Sequence, residues 1–260
     1  MTDTLPFSIS MDWDDFAEKL SFAEHHQLGV EIDALFAGPG LSDVAVRKKM
    51  ERSLSRALRD FPYRRSLHGA FIDIAVHSGD PAIAAVARDR IQRDLETASR
   101  LGCQTVVFHT GFNPLVPGRE YGRAFLERHA AFWPAVADQF PGISICLENM
   151  WETSPQLLDQ LLRGINHPRV GLCLDVAHAH AYSPVGVETW LERLKHRIRH
   201  MHWNDNHGDT DSHLAIGKGN IPWKEVQAFV RRLSGEVAVV LEMKSMQAVR
   251  HSLRYLAQLS

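Results

Sequence analysis

The sequence predicts an α/β fold, a single (β/α)8 barrel, and two observations carry this prediction. Short apolar runs rich in β-branched residues recur along the 260 residues, and a longer stretch with helical periodicity follows each run. Eight such pairs within about 250 residues is the number that a (β/α)8 barrel needs. No low-complexity segment or linker interrupts the alternation, so we expect residues 1–260 to form one domain.

The predicted elements follow one another in strict alternation. The strands are expected at residues 7–10, 29–33, 66–68, 105–109, 144–148, 170–175, 198–202 and 237–242. The helices are expected near residues 13–27, 42–60, 81–100, 120–139, 154–163, 187–195, 222–232 and 245–259. Asp80-Pro81 and Ser154-Pro155 are typical of a capping residue followed by a first-turn proline. Gly29, Gly102 and Gly142 lie where a helix gives way to a strand.

A doubly wound open sheet is the competing architecture, because it also alternates strands with helices. No Gly-x-Gly-x-x-Gly motif follows the first predicted strand, which weakens a dinucleotide-binding version of that fold.

Composition narrows the class of protein. Apolar residues make up 45% and charged residues 23%, which is typical of globular proteins, and the net charge of −2 gives no bulk attraction to polyanions. Cys103, Cys146 and Cys173 lie in or beside apolar runs and are expected to be reduced thiols of a cytoplasmic protein. No signal peptide is visible, and no apolar run approaches the roughly 18 residues of a membrane span.

Six consecutive predicted strands end in a side chain that can bind a metal ion. In a (β/α)8 barrel these ends meet at one rim, where the chemistry of such barrels is found. In chain order these residues are His68, His109, Glu148, Asp175 with His178 three residues later, His202, and Glu242. Apolar strands that end only in His, Asp and Glu are hard to explain by solvation, since a buried carboxylate without a partner is costly.

The segment from His202 to His213 adds an Asp-x-His motif, Asp211-Ser212-His213, to the loop after the seventh strand. Imidazole and carboxylate are the ligands that zinc or manganese prefers. His200 is expected to point the same way as His202, one layer deeper in the barrel, and to pack in the core.

With these residues the chain resembles a known family, the xylose isomerase-like TIM barrels, which include sugar isomerases, sugar epimerases and endonuclease IV. The similar segments keep their order along nearly the whole sequence. They are Leu67-His68-Gly69-Ala70-Phe71, Val106-Val107-Phe108-His109, Leu147-Glu148-Asn149, Leu174-Asp175-Val176-Ala177-His178, the segment from His202 to His213, and Leu241-Glu242.

The resemblance implies two versions of the site. In the isomerases and epimerases one divalent ion is held by a quartet that corresponds here to Glu148, Asp175, His202 and Glu242. Endonuclease IV holds three zinc ions, and its ligands correspond to all nine candidates. His68, His109 and Glu148 would hold the first ion, the quartet the second, and His178, Asp211 and His213 the third. The resemblance therefore implies one to three zinc or manganese ions per chain.

Two chemistries remain open. A sugar isomerase or epimerase would use Glu148 and Glu242 as catalytic base and acid beside a metal-polarised carbonyl. A zinc phosphoesterase would use Glu148 as a bridge between ions, and it would need the five additional ligands. The sequence favours the isomerase or epimerase, with the phosphoesterase as the alternative. A non-enzymatic barrel that binds a metal or a ligand is the third possibility.

The charges of the rim loops favour a small, sugar-like substrate over nucleic acid. Acids outnumber cations there, whereas a DNA-binding surface needs Lys and Arg to neutralise phosphates. The acids are Asp12, Asp14, Asp15, Asp73, Asp80, Glu152, Asp205 and Asp209, and the cations are Arg119, Lys218 and Lys244. Phe71 and Ile72 could form an apolar wedge, but they suit a small pocket equally well. Nothing in the sequence predicts a membrane partner or an oligomeric state.

Overall fold

The structure is a computed structural model that describes residues 5–71, 74–233 and 237–259. Within these ranges eight parallel strands pair in the order β1 to β8, and β8 pairs back onto β1 to close the barrel. The predicted (β/α)8 TIM barrel is confirmed, and the closed sheet rules out the doubly wound alternative. The predicted wedge residue Ile72 and the predicted rim acid Asp73 lie outside the described residues.

All eight predicted strands are present, and most bounds agree within one residue. The strands are β1 (Phe7–Met11), β2 (Gly29–Ile32), β3 (Arg65–His68), β4 (Thr105–His109), β5 (Ser144–Glu148), β6 (Val170–Asp175), β7 (Ile198–Trp203) and β8 (Ala238–Leu241). Glu242 lies one residue beyond β8, but its N–H donates to Trp203 O at 3.1 Å, so it continues the strand ladder.

The eight predicted helices are also present, with two short helices that the periodicity did not indicate. The described helices are α1 (Phe16–His25), α2 (Gly38–Ser42), α3 (Val44–Ala57), α4 (Pro81–Leu101), α5 (Arg119–Gln139), α6 (Gln156–Ile165), α7 (Val176–Tyr182), α8 (Val187–Leu194), α9 (Trp223–Val230) and α10 (Met246–Gln258). The additional helices are α2 and α7, which are too short to show a helical period.

Two of the predicted helix boundaries are confirmed, and one is wrong. The Asp80 side chain accepts from Ala82 N at 2.8 Å and caps α4, which ends at Gly102 with φ +70°. At α6, however, Pro155 itself occupies the capping position, and no side chain caps the helix.

Strand alternation divides the buried side chains into two environments. The large apolar residues face outward and pack under the helices, where they form the main core. Inside the barrel, Val107, Cys146 and Cys173 form a small separate cluster. All three cysteines are buried free thiols, as predicted. No helix in the described ranges has the length and apolar character to cross a membrane.

A buried ion pair anchors the loop that follows His68. Asp94 Oδ1 on α4 lies 2.8 Å from Arg47 Nη2 on α3, and both side chains are about 3% exposed or less. Asp94 Oδ2 accepts a hydrogen bond from Ala70 N at 2.7 Å. One carboxylate therefore ties two helices to the segment that begins at His68.

We expect Asp94→Ala to destabilise the protein by about 3 kcal/mol, because it removes the more deeply buried of the two carboxylates beside Arg47 and leaves only Glu51. Urea unfolding monitored by circular dichroism measures this change. The matched control is Asp89→Ala, whose carboxylate is 78% exposed in a pair with Arg93 on the same helix. That control should change the free energy of unfolding by less than about 0.5 kcal/mol. Equal effects of the two substitutions would contradict the anchoring role.

Candidate metal centre

The nine candidate ligands converge at the carboxyl-terminal rim of the barrel. Seven of them line a cavity of about 460 Å³, and the other two, Asp175 and His202, contact residues of that lining. Strand register explains part of this convergence, because partners in a parallel ladder point to the same face. His109 is the register partner of Glu148, and Asp175 is the register partner of His202. Short contacts link all nine side chains into one connected cluster.

Glu148 lies at the middle of the cluster and is 1% exposed. Its Oε2 lies 3.3 Å from His68 Nε2 and 3.1 Å from His109 Nε2. Its Oε1 lies 3.0 Å from His202 Nδ1. The two oxygens of one carboxylate thus face two separate histidine groups, which is the arrangement expected of a carboxylate that bridges two ions.

The Asp211 carboxylate joins the other two candidate histidines. Its Oδ2 lies 3.3 Å from His178 Nε2 and 3.0 Å from His213 Nε2. The motif that distinguishes the two implied versions of the site is therefore folded into the cluster. It does not extend into solvent as a free loop.

The local backbone positions the two histidines that contact Asp211. Asp175 caps α7 by accepting from His178 N at 2.7 Å, which places the His178 ring in the first helical turn. His213 has φ +49°, a left-handed backbone conformation that is uncommon outside glycine and concentrates at functional sites.

The loop around His213 is fixed by Asp205, which was predicted as a rim acid but is fully buried. Its Oδ2 accepts from Gly217 N at 2.8 Å and Gly219 N at 2.9 Å. A Cβ on Gly219 would approach Asn206 O to 2.1 Å, so only glycine fits this position without rearrangement.

Three of the five candidate histidines direct Nε2 toward a carboxylate of the cluster, Glu148 or Asp211, and direct Nδ1 away from it. The Nδ1 atoms of His68, His178 and His213 lie 2.9–3.2 Å from the backbone carbonyls of Gly69, Asn149 and Glu242. When Nδ1–H donates to a carbonyl, the Nε2 lone pair is available to a metal ion.

The residues fit a group of divalent ions. Within the described residues, four sets of three side chains bring potential ligand atoms within 4.8 Å of one another, and three of these sets consist entirely of candidates. The buried oxygens Glu148 Oε2, Asp175 Oδ2 and Asp211 Oδ1 accept no aligned hydrogen bond. Buried carboxylate oxygens normally have a donor, so a bound cation would satisfy these three atoms.

The same contacts shift the pKa values of the cluster. Burial alone would lower the pKa of His68, but the contact with Glu148 outweighs it and raises that pKa to about 9. For His213 the contact with Asp211 likewise overcomes burial and raises the pKa to about 9. Burial raises the pKa of Asp175 to about 7, although the charge of His178 opposes this effect.

Sequence reasoning missed four residues at or below this rim. Lys19, Asp33 and Phe36 line the cavity, and Glu31 lies beneath it inside the barrel. The acidic side chain of Glu31 within the apolar run of β2 was a signal that could have been found, because a buried charge needs a partner.

Glu152 also differs from expectation. It was predicted as one of the acids of the rim loops, but it is 2% exposed and accepts hydrogen bonds from Thr110 Oγ1 and from Met150 N.

We expect metal binding to release protons and to strengthen as the pH rises from 7 to 9. His68 and His213 have pKa values of about 9 and are therefore protonated at pH 7. An imidazolium cannot bind a metal, so ions must displace these protons. Zinc titration calorimetry in buffers of different ionisation enthalpy measures the number released. A zinc affinity that does not change between pH 7 and pH 9 would contradict this expectation.

Comparisons with known proteins place the chain in a family. The sequence model of the xylose isomerase-like TIM barrels matches residues 22–259. An uncharacterised protein of Methanocaldococcus jannaschii is 26% identical over 70% of this chain and 64% of its own length. A probable endonuclease 4 of Symbiobacterium thermophilum is 27% identical over 63% of this chain and 65% of its own length. The chain thus spans slightly less than two thirds of these two relatives.

Solved structures share the fold over nearly the full length. A D-tagatose 3-epimerase-like protein superposes with a TM-score of 0.81 at 22% identity, covering 98% of this chain and 97% of the other. A Thermus thermophilus protein soaked with ZnCl2 superposes with a TM-score of 0.75 at 24% identity, covering 98% of both chains. The barrel, the rim cluster and the sequence match lead to one conclusion: the chain belongs to the xylose isomerase-like TIM barrel family.

Proposed function

We propose that this protein is a metal-dependent hydrolase of small phosphoesters that works with a cluster of divalent ions, most simply zinc. The observation that carries the proposal is the group formed by His178, Asp211 and His213. Asp211 Oδ2 lies within 3.3 Å of an Nε2 atom on each histidine, and both rings are turned by backbone carbonyls. A one-metal isomerase does not need this group.

The cluster divides into three sets of ligands that share Glu148. His68 and His109 would hold one ion together with Glu148 Oε2. Asp175, His202 and Glu242 would hold a second ion with Glu148 Oε1. His178, Asp211 and His213 would hold the third. Such ions, when bound, polarise a phosphoryl oxygen and stabilise the negative charge that develops during hydrolysis.

Two residues of the cavity suit an anionic substrate. Lys19 is 3% exposed, and its Nζ lies 2.8 Å from Asp15 Oδ2 and donates to Met243 O at 3.1 Å. Lys244 lines the same cavity and donates to Ser212 O at 3.1 Å. We assign to these two ammonium groups the attraction and orientation of a phosphoester.

Asp33 is the group best placed to supply a proton to the departing oxygen. It lines the cavity, and its Oδ1 is buried without a hydrogen-bond partner. Burial raises the pKa of Asp33 well above its usual value, and the charges of Glu31 and Glu242 add to this effect. A carboxyl whose pKa is raised holds its proton more tightly than usual, which suits a general acid.

The size and charge of the cavity favour a small phosphoester over duplex DNA. A volume of about 460 Å³ suits a small molecule. Asp12, Asp15 and Asp33 line it, with Lys19 and Lys244 as the cations among the described lining residues. Duplex DNA would need a broader basic surface. The match to a probable endonuclease 4 supports phosphoester chemistry but does not extend to its substrate.

Sugar isomerisation or epimerisation, which the sequence favours, is the second candidate function. The observation in its favour is the acidic wall of the cavity, which suits a neutral sugar better than an anion. In that case Glu148 and Glu242 would act as base and acid. Both carboxylates approach the same His202 Nδ1 atom, at 3.0 and 3.2 Å, which is compatible with ligation of one ion in either function.

We expect His213→Gln to lower phosphoester hydrolysis by about 10²–10³-fold, because it removes one source of charge stabilisation at the reacting phosphate. The same variant should keep two of three zinc ions, as counted by inductively coupled plasma mass spectrometry. Bis(p-nitrophenyl) phosphate and an abasic-site oligonucleotide serve as phosphoester probes, and a panel of ketohexoses tests epimerisation. The matched control is His207→Gln, an exposed histidine of the same loop, which should leave both readouts unchanged.

Three outcomes would contradict the proposal. Epimerisation that survives His213→Gln, together with a single bound ion, would establish the second candidate function. Wild-type protein that binds zinc but hydrolyses none of the phosphoesters would remove the hydrolase assignment. Wild-type protein without any tightly bound metal would favour a binding barrel.

A further inference from the structure

The ring of His202 is oriented differently from the rings of His68, His178 and His213. Those three turn Nε2 toward the centre and place Nδ1 against a backbone carbonyl. His202 instead directs Nδ1 toward Glu148 Oε1 and Glu242 Oε1, at 3.0 and 3.2 Å. Its Nε2 faces the barrel interior, where the neighbouring group is a carboxylate.

That carboxylate belongs to Glu31, which projects from the middle of β2 into the barrel. Its Oε1 lies 2.7 Å from His202 Nε2, and its Oε2 lies 2.9 Å from His200 Nε2. Glu31 and His202 are fully buried, and His200 is 1% exposed. Among the described residues neither oxygen of Glu31 has an aligned hydrogen bond, so its two close contacts with the histidines are ion-pair contacts.

An irregularity in β7 makes this arrangement possible. Leu172 of β6 pairs with Ile198, but the next residue, Cys173, pairs with His200, so Arg199 is an extra residue in the ladder. A bulge of this kind changes the face on which the following side chains lie. It brings His200 and His202 into phase with Cys173 and Asp175, which point into the barrel.

A carboxylate partner affects an imidazole more strongly than a carbonyl does. It fixes which nitrogen carries the proton, it fixes the orientation of the ring, and its full negative charge makes the opposite nitrogen a stronger metal ligand. His202 has the closer carboxylate of this kind, at 2.7 Å, whereas the carboxylate oxygen nearest to His178 Nδ1 lies 3.5 Å away. His200 in turn holds the second oxygen of Glu31, so the carboxylate is clamped from two directions.

We propose that Glu31, clamped by His200, is a positioning residue that orients His202 and strengthens its bond to the ion shared with Glu148, Asp175 and Glu242. Strand β2 supplies none of the nine candidate ligands. Its contribution is Glu31, which contacts the candidate ligand His202 from one layer deeper in the barrel. This inference rests on the proposed metal centre, because it requires an ion bound to His202.

Glu31→Gln tests the proposal, because it removes the charge while keeping nearly the same volume. We expect one zinc ion to bind about 10- to 100-fold more weakly, and the others to bind as in the wild type. Competition with a chromophoric chelator measures the stepwise affinities. The matched control is Glu152→Gln, which changes an equally buried carboxylate whose described hydrogen bonds go to Thr110 and Met150.

A spectroscopic readout separates positioning from general destabilisation. In zinc-loaded protein labelled with ¹⁵N-histidine, we expect His202 Nδ1 to show the shift of a metal-bound nitrogen and Nε2 to carry a slowly exchanging proton. Glu31→Gln should speed the exchange of that proton. The proton on His68 Nδ1, which faces Gly69 O, should be unaffected and serves as the internal reference.

Failure of this inference is distinguishable from failure of the proposed function. Wild-type protein that binds no zinc at the rim would refute the metal centre. Zinc binding that Glu31→Gln leaves unchanged, or weakens no more than Glu152→Gln does, would refute the positioning role alone. If Glu31→Gln does not fold, His200→Asn provides the test, and it should weaken the same ion by a smaller factor. Unchanged affinity in His200→Asn would then overturn the proposal.

Discussion

The arrangement of the rim depends on one buried carboxylate, that of Glu148. It lies at the end of β5 with four imidazole rings within 3.5 Å of its two oxygens, and it is 1% exposed. An isolated carboxylate in such an interior would be very costly. The histidines of β3, β7 and the first turn of α7 have raised pKa values and supply the compensating charge, and His109 of β4 adds a fourth imidazole contact, so the ends of these elements must meet at this point.

The contacts around Glu148 lie in successive layers from the cavity into the barrel. At the top, Asp211 links two rings that face the cavity. In the middle, Glu148 and Glu242 converge on His202. One layer lower, Glu31 holds His202 and His200 from inside the barrel. Charges of opposite sign therefore alternate with depth, which lets the barrel interior contain ionisable groups that most proteins keep at the surface.

The sequence predicts the parts of this structure that rest on simple periodicity, and it misses those that depend on three-dimensional register. A strand that ends in Glu148 or His109 can be recognised because the apolar run stops at a metal-capable side chain. Helix α7 was missed because it begins directly after Asp175 and is only seven residues long. Glu31 was missed because it lies within β2, whereas the candidate ligands were predicted from the residues at which strands end. The bulge at Arg199 has no local sequence signal.

A cluster of ions at the rim, with Glu148 between two of them, can be detected by anomalous diffraction at the zinc absorption edge. The crystals should be of protein loaded with zinc and free of affinity tags. We expect three peaks: one beside His68 and His109, one beside Asp175, His202 and Glu242, and one beside His178, Asp211 and His213. A single peak held by Glu148, Asp175, His202 and Glu242 would refute the cluster.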